Sequence, residues 1–279
     1  MDLKFAFWGT PEVGSKTLEI LKNSGYIPKI IITSPDKPQG RKLVVTPPPV
    51  KVWAESNNIP CLQPETIDQD FIEKLKEEQC ELFIVVAYGK ILPENLINLP
   101  KLGSINIHYS LLPKFRGASP VESAILNGEK ETGVTIQQIS LKMDQGPIIA
   151  QEKIDISKDE RTEELKERLI TLGGNLLVDI LPTIATGQYD KKEQDENKAT
   201  YSRKIRKEDG LVDLEKESDE SLYNKFRAYH IWPRTFFFKN EKRIIVTDAC
   251  LEEGKFTILK VLPEGKKEIS FIDFKKSIS

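Results

Sequence analysis

Residues 82–108 read LFIVVAYGKILPENLINLPKLGSINIH, and two runs in this stretch decide the fold class. Leu82–Tyr88 is apolar on both faces, which is typical of a central strand in a parallel sheet that is covered on both sides. Ser104–His108 is a second run of strand length, and it ends in polar residues. Open sheets of this kind bind ligands outside the carboxyl ends of their strands. We therefore expect a site where Ser104–His108 ends.

The chain on either side continues the alternation of apolar runs with amphipathic stretches of helix length. Further strands are expected at Leu3–Trp8, Lys29–Thr33, Gly133–Ile139 and Pro147–Ala150. Helices are expected after Pro11 and over Glu160–Leu181, where Pro182 would end the second helix. This order predicts an α/β fold with a mostly parallel sheet over the first two thirds of the chain.

The segment Pro35–Lys51 carries five prolines. Because proline lacks a backbone donor, we expect an exposed loop here and neither a helix nor a strand. The cations of the segment are Lys37, Arg41, Lys42 and Lys51. Since the loop follows the second strand, it is either a solvated turn or an arm that grips phosphates near the strand ends.

A change of composition near residue 188 indicates a second domain. Tyr189–Thr200 is almost wholly polar, as linkers are. Residues 200–279 carry 17 Lys and Arg against 14 Asp and Glu, and they open with the basic run Arg203–Lys207, which is either solvated or a nucleic-acid contact. Short apolar runs then predict a small sheet or barrel, at Thr235–Phe238, Arg243–Thr247, Phe256–Val261 and Ile269–Phe274.

Composition excludes several classes of protein. The 279 residues carry a net charge of −2, so any contact with nucleic acid is local. Cys61, Cys80 and Cys250 lie far apart without a CxxC pair, which argues against a disulfide framework and a zinc site. The first apolar run is too short for a signal sequence, and no stretch approaches a membrane span. We therefore expect a cytoplasmic protein that needs no metal.

Candidate catalytic groups lie at the end of the second central strand. Period-2 alternation places Asn106 and His108 on one face, so an amide donor and a titratable imidazole point into the same space. Asp144 follows a later strand, and a carboxylate beside an imidazole raises its basicity and fixes its tautomer. Each of these residues also has an ordinary structural explanation, as a core histidine and a turn aspartate.

No nucleophile or phosphate motif accompanies these residues, because GxSxG, HExxH, GxxxxGK[ST] and GxGxxG are all absent. The pattern favours direct acyl transfer to an amine, without a covalent enzyme intermediate. In such a transfer, fixed donors stabilise the oxyanion that develops.

Several motifs together resemble the 10-formyltetrahydrofolate-dependent formyltransferases. They are Asn106-Ile107-His108, SLLP at 110–113, RGASP at 116–120, ETGVTI at 131–136 and Asp144-x-Gly146. Within that family the chain is similar to the members that act on initiator methionyl-tRNA. The motifs that carry this likeness are FxGTP at 7–11, PDKPQGRKLVVTPPPVKVWAE at 35–55, AYGxILP at 87–93 and IxKED at 205–209.

The resemblance implies a Rossmann-like formyltransferase domain over residues 1–188, a linker over 189–202 and a shortened OB-like β-barrel over 203–279. It also implies a monomer that takes 10-formyltetrahydrofolate as donor and the amine of methionyl initiator tRNA as acceptor, so that N-formylmethionyl-tRNA serves translation initiation. Asn106 and His108 would polarise the formyl oxygen, and Asp144 would orient His108. The residues implied in the folate pocket are Ser110, Leu111, Leu112, Pro113, Ile91 and Leu92. Those implied in tRNA binding are Lys37, Arg41, Lys42, Lys51, Arg203, Lys204, Arg206 and Lys207.

The sequence departs from the family pattern at three places, and each departure leads to a separate prediction. Tyr109 stands where a small residue is usual, which predicts a narrower entrance to the site or a ring on which a substrate stacks. The stretch between Cys250 and Pro263 is short, which predicts an incomplete barrel. Arg234 stands where glycine is common, which predicts a different turn.

Four other functions are compatible with parts of the sequence. A sugar-nucleotide N-formyltransferase would share the chemistry of Asn106, His108 and Asp144, but the two basic segments favour tRNA. A glycinamide-ribonucleotide formyltransferase usually lacks the second domain. A non-catalytic tRNA- or folate-binding protein would not need the three polar residues intact. A hydride-transfer enzyme would need a glycine-rich turn where the chain has Gly9-Thr10-Pro11.

Overall fold

The computed structural model describes residues 3–40 and 43–278, so Arg41 and Lys42 of the predicted tRNA-binding set lie outside the described residues. The chain forms two compact units. The first comprises Met1–Arg116, Gly133–Lys153 and Arg168–Thr200, and the second comprises Gly117–Thr132, Ile154–Glu167 and Tyr201–Ser279. The domain boundaries expected from sequence, at 188 and 203, stay a prediction.

The strands alternate with the helices over most of the chain. The strands are β1 (Phe5–Gly9), β2 (Ile30–Ile32), β3 (Lys37–Gln39), β4 (Val44–Thr46), β5 (Cys61–Leu62), β6 (Leu82–Val86), β7 (Ser104–His108), β8 (Arg116–Gly117), β9 (Glu131–Gln138), β10 (Ile148–Asp155), β11 (Tyr201–Ser202), β12 (Phe236–Lys239), β13 (Lys242–Glu252), β14 (Lys255–Pro263) and β15 (Ile269–Ser270). The helices are α1 (Glu12–Asn23), α2 (Pro49–Ser56), α3 (Gln69–Glu77), α4 (Glu94–Ile97), α5 (Pro120–Leu126), α6 (Thr162–Thr186), α7 (Asp219–Ala228) and α8 (Phe271–Ile278).

A seven-stranded sheet with the order β10-β9-β7-β6-β1-β2-β5 forms the centre of the fold. The pairs from β5 to β7 are parallel, and β9 runs antiparallel to β7. All five residues of β1 and all five of β6 are buried, as their uninterrupted apolar sequences require. The prediction of a mostly parallel, Rossmann-like sheet is confirmed.

The expectation that Pro35–Lys51 is a loop without regular structure is wrong. Strands β3 and β4 pair as an antiparallel hairpin, with Lys37 opposite Thr46, and α2 begins at Pro49. Proline is accommodated because the hairpin has only two strands and because the first turn of a helix needs no backbone donor. The prolines in this segment therefore do not exclude strands and helices. They mark positions at which such elements begin.

The expected end of the long helix at Leu181 is also wrong, because α6 continues through Pro182 to Thr186. Leu177, Leu181 and Ile184 are fully buried, so packing of the last turns compensates for the hydrogen bond that Pro182 cannot make. By length and composition alone α6 could cross a membrane, contrary to the expectation that no stretch approaches a membrane span. Four of its leucines are nevertheless fully buried within the protein, namely Leu165, Leu169, Leu177 and Leu181.

The second unit contains a four-stranded antiparallel sheet in the order β12-β13-β14-β15, which is the form that the predicted small barrel takes. Glu253 and Gly254, both at positive φ, join β13 to β14 in a two-residue turn, so the short stretch after Cys250 is a tight hairpin. Arg234 keeps a positive φ of 68°, so the expectation of a different turn there is wrong.

The run Ile269–Phe274, predicted as a strand, is mostly helical. Only Ile269 and Ser270 pair with β14, and α8 starts at Phe271. The Ser270 hydroxyl accepts a hydrogen bond from the backbone of Asp273 at 3.1 Å and donates one to its carboxylate at 2.7 Å. These two hydrogen bonds cap the N-terminus of a helix. The apolar pattern of the run gave no indication of this cap.

Candidate active site

Strand β7 presents Asn106 and His108 on one face of the sheet, between β6 and β9. Asn106 lies opposite Val85 on one side and Gln137 on the other, and His108 lies opposite Thr135. His108 is 5% exposed, whereas Asn106 is half-buried. Within the described residues the Asn106 side chain has no hydrogen-bond partner, so its amide is available to donate.

The structure brings His108 and Asp144 together, although 36 positions separate them in the chain. His108 Nδ1 lies 3.6 Å from Asp144 Oδ1, and His108 Nε2 lies 2.9 Å from the carbonyl oxygen of Phe115. Because a carbonyl can only accept, Nε2 carries the hydrogen of the neutral ring and Nδ1 keeps its lone pair. A proton taken up at Nδ1 would face the carboxylate, which stabilises it.

Gln137 is a member of this cluster that sequence reasoning missed. Its Nε2 donates to Asp144 Oδ1 at 2.9 Å, and the residue is 2% exposed. The signal was a polar residue inside the apolar run GVTIQQI, on the face that Asn106 shares. A buried amide needs a partner, and here the partner is the candidate carboxylate.

The turn that carries Asp144 has an unusual backbone. Asp144 has φ of +54°, in the left-handed region. At Gly146 an added Cβ would overlap the backbone carbonyl of Gln138. Only glycine fits there, so the turn lies directly against the end of β9.

Replacement of Gly146 by alanine is expected to displace this turn. The overlap cannot be relieved by a side-chain rotation, so we expect a loss of about 1–3 kcal/mol in the free energy of unfolding and a lower turnover. Denaturant unfolding and steady-state kinetics check both effects. Ser140→Ala is the control, because it removes only a solvent-exposed hydrogen bond within the same loop, from the Ser140 hydroxyl to the carbonyl of Lys142. A Gly146→Ala variant with unchanged stability and turnover would show that the turn tolerates displacement.

The segment after His108 is tied to β9 through Thr135. The Thr135 hydroxyl donates to the carbonyl of Ser110 at 2.6 Å and accepts from the backbone of Leu112 at 3.1 Å. Residues 110–113 therefore lie beside the candidate catalytic face. The predicted folate contacts differ in exposure: Ser110, Leu112 and Leu92 are buried, whereas Ile91 is 82% exposed.

Tyr109 does not border the site entrance, and that expectation is wrong. Its ring approaches α6, where a Cβ on Gly173 would lie 3.5 Å from Tyr109 Cε1. Alternation turns Tyr109 to the face opposite His108. Burial raises the pKa of the Tyr109 phenol, as expected for a core side chain.

The predicted basic residues fall into two groups. Lys51 and Arg203 have acidic partners: Lys51 Nζ lies 2.8 Å from Asp36 Oδ2, and Arg203 Nη1 donates to Asp209 Oδ2 at 2.7 Å. The hydrogen bond from Arg203 lowers the pKa of the Asp209 carboxyl. The remaining described members of the set are exposed to solvent, namely Lys37, Lys204, Arg206 and Lys207.

Comparison with known protein families identifies the chain. The family model described as formyl transferase matches residues 3–181, and the model for the formyl transferase C-terminal domain matches residues 204–264. The chain belongs to the formyl transferase family. Asn106, His108 and Asp144 all lie within the matched formyl transferase segment.

Curated relatives of this formyl transferase are similar over most of their length. The methionyl-tRNA formyltransferase of Sulfurihydrogenibium sp. is 38% identical over 95% of this chain and 86% of its own. The methionyl-tRNA formyltransferase of Thermotoga maritima is 44% identical over 90% of this chain and 81% of its own.

Solved structures share the fold at lower identity. An N-formyltransferase from Helicobacter canadensis, in complex with folinic acid and dTDP-3-aminofucose, has a TM-score of 0.67 at 21% identity and covers 90% of this chain and 89% of its own. The methionyl-tRNA formyltransferase from Clostridium thermocellum has a TM-score of 0.61 at 16% identity over 96% of this chain and 99% of its own. At these identities the likeness concerns the fold alone.

Proposed function

We propose that this formyl transferase moves the formyl group of 10-formyltetrahydrofolate to the free amine of methionyl initiator tRNA and so supplies N-formylmethionyl-tRNA for translation initiation. The observation that carries the proposal is the pairing of His108 with Asp144 beside the available amide of Asn106, at the carboxyl end of β7. Relatives named methionyl-tRNA formyltransferase, at 38% and 44% identity, support the choice of acceptor.

The first step is attack by the unprotonated amine on the formyl carbon. Charge then develops on the formyl oxygen, and the Asn106 amide donates to it. One well-placed donor of this kind is worth about 10²–10³ in turnover. Because Asn106 has no competing partner among the described residues, its amide can turn to the oxygen without breaking another bond.

The second step moves one proton. A carbon–nitrogen bond forms between the amine and the formyl carbon, and the bond from that carbon to N10 of the folate breaks. The amine loses a proton to His108 Nδ1, and the departing N10 regains one. Asp144 lies 3.6 Å from Nδ1 and stabilises the imidazolium between the two transfers.

The segment after His108 is proposed to hold the folate. Ser110, Leu111, Leu112 and Pro113 form one side, and exposed Ile91 offers an apolar contact on the other. Leu92 is buried in the core, so it would support the folate site indirectly, by packing under the turn that carries Ile91. The chain uses no metal in this proposal, and in the described ranges no group of three or more His, Cys, Asp or Glu is arranged to hold one.

Two basic segments are proposed to bind the tRNA. The β3–β4 hairpin presents Lys37, and Arg41 and Lys42 are proposed from the sequence segment alone. The run Arg203–Lys207 borders a pocket of about 310 Å³ that is lined by Tyr201 and Tyr229 among others. Cations beside an exposed aromatic ring suit the phosphates and bases of RNA, which supports the proposal. A monomeric state and a cytoplasmic location stay predictions.

Lys42→Glu is expected to weaken tRNA binding and leave the chemistry intact. Loss of one phosphate contact lowers the slope of log affinity against log salt concentration by about 1. Binding of initiator tRNA measured at several salt concentrations checks this. Lys74→Glu is the matched control, because it makes the same charge change on α3. Unchanged affinity and slope in Lys42→Glu would remove the basic segment 35–51 from the proposed tRNA interface.

Separate reactions with a panel of acceptors test the proposed function. Purified protein and 10-formyltetrahydrofolate are incubated with methionyl initiator tRNA, unacylated tRNA or nucleotide-linked amino sugars. Formylation of methionyl-tRNA alone is expected. Formylation of an amino sugar alone would support the sugar-nucleotide alternative.

A further inference from the structure

Residues 189–200 form a polar segment, and the side chain of Gln194 in this segment contacts the candidate active site. Gln194 Nε2 donates to the carbonyl oxygen of Asp144 at 2.9 Å and to that of Gly146 at 2.7 Å. The Gln194 amide therefore bridges both ends of the turn that carries the carboxylate beside His108. The composition of residues 189–200 had suggested only a linker.

Arg116 determines which way this amide points. Arg116 is fully buried, and its Nε and Nη2 both donate to Gln194 Oε1, at 3.0 and 2.8 Å. A guanidinium has only donors, so the Gln194 oxygen faces Arg116 and the nitrogen faces the Asp144 turn. Arg116 Nη1 also donates to Glu196 Oε2 at 2.9 Å, which holds the guanidinium from its outer side.

We propose that Gln194 is a positioning residue for formyl transfer. Held by Arg116, its amide fixes the turn from Asp144 to Gly146. It thereby sets the 3.6 Å separation between Asp144 Oδ1 and His108 Nδ1. A partner that orients a catalytic carboxylate in this way is worth about 10- to 100-fold in activity. The kinetic part of this inference rests on the proposed function, whereas the geometric part does not.

Gln194→Glu tests the contact with the Asp144 turn separately from the contact with Arg116. A glutamate keeps an oxygen for Arg116 and gains a charge that suits the guanidinium, so the buried arginine stays paired. It has no N–H for the carbonyls of Asp144 and Gly146, and its second oxygen would face them unfavourably. We expect the turnover to fall by about 10-fold or more, with little change in the KM of either substrate.

Gln188→Glu is the matched control. It makes the same change of amide to carboxylate at an exposed glutamine that takes no part in the contacts of Arg116 or of the Asp144 turn. Turnover should stay near that of the wild type. If Gln194→Glu does not fold, Gln194→Met serves instead, since it keeps the length of the side chain and removes the amide.

The ring resonances of His108 give a readout that needs no tRNA. The chain has two histidines, so NMR signals of His108 are assigned by their loss in His108→Ala. Gln194→Glu should move the His108 signals and leave those of His230, while Gln188→Glu should move neither. An unmoved His108 signal with wild-type turnover would overturn the proposal. If the His108 signal moves as expected but the wild-type enzyme does not formylate methionyl-tRNA, the proposed acceptor is wrong and the positioning role stands.

Discussion

Replacement of His108 by alanine is expected to lower the turnover of formyl transfer by about 10²–10⁴-fold, the range for loss of a general acid–base group. His108 supplies the lone pair at Nδ1 that takes the proton of the amine. The Asp144 carboxylate would remain nearby, but a carboxylate is a much weaker base than imidazole, so the amine would lose its proton more slowly. Single-turnover kinetics with excess enzyme measure the loss without interference from product release.

The control for this variant is His230→Ala. His230 also contacts a carboxylate, with Nδ1 at 3.1 Å from Glu163 Oε1, but it lies in the second compact unit. Its loss should leave the chemical step unchanged. Thermal unfolding of both variants establishes that the fold is retained. Normal turnover in His108→Ala would contradict the assigned proton transfer.

Asn106→Ala is expected to lower turnover by about 10²–10³-fold, the effect of losing one oxyanion donor. The amide has no partner among the described residues, so its removal leaves no buried group unsatisfied. The free energy of unfolding should therefore change little. This result would distinguish Asn106 from residues that stabilise the fold. The loss should appear in kcat more than in the KM of the folate, because the bond strengthens as charge develops.

Asn127→Ala is a suitable control for this second variant. Its side chain makes only an exposed bond to the carbonyl of Ser123, at the end of α5. An Asn106→Ala enzyme with wild-type kcat would mean that another donor holds the formyl oxygen. The backbone after β7 would then be the next group to test.

The sequence was informative where local pattern and chemistry coincide. Continuous apolar runs predicted β6, and alternation along β7 placed Asn106 and His108 on one face. The turn after a later strand gave Asp144 as a candidate, and the family resemblance then implied its role beside His108. The structure brings these groups together as expected, although their catalytic roles stay predictions until the variants are measured.

Contacts between distant segments were beyond the reach of sequence patterns. Arg116 and Gln194 are 78 positions apart, and nothing in a polar stretch indicates which of its side chains is held by a buried guanidinium. The helix through Pro182 and the hairpin at Lys37–Thr46 were missed for a related reason. In each case tertiary packing or pairing outweighed the local cost of proline.

Asn106, His108 and Asp144 are proposed to formylate the amine of methionyl initiator tRNA. The most direct measurement is a competition in one vessel, with 10-formyltetrahydrofolate labelled in the formyl group and equal amounts of methionyl initiator tRNA and a nucleotide-linked amino sugar. Mass spectrometry after deacylation of the tRNA locates the label. We expect labelled N-formylmethionine from the wild-type enzyme and a loss of this product in His108→Ala. Label on the sugar alone, or equal labelling of methionine by both enzymes, would contradict it.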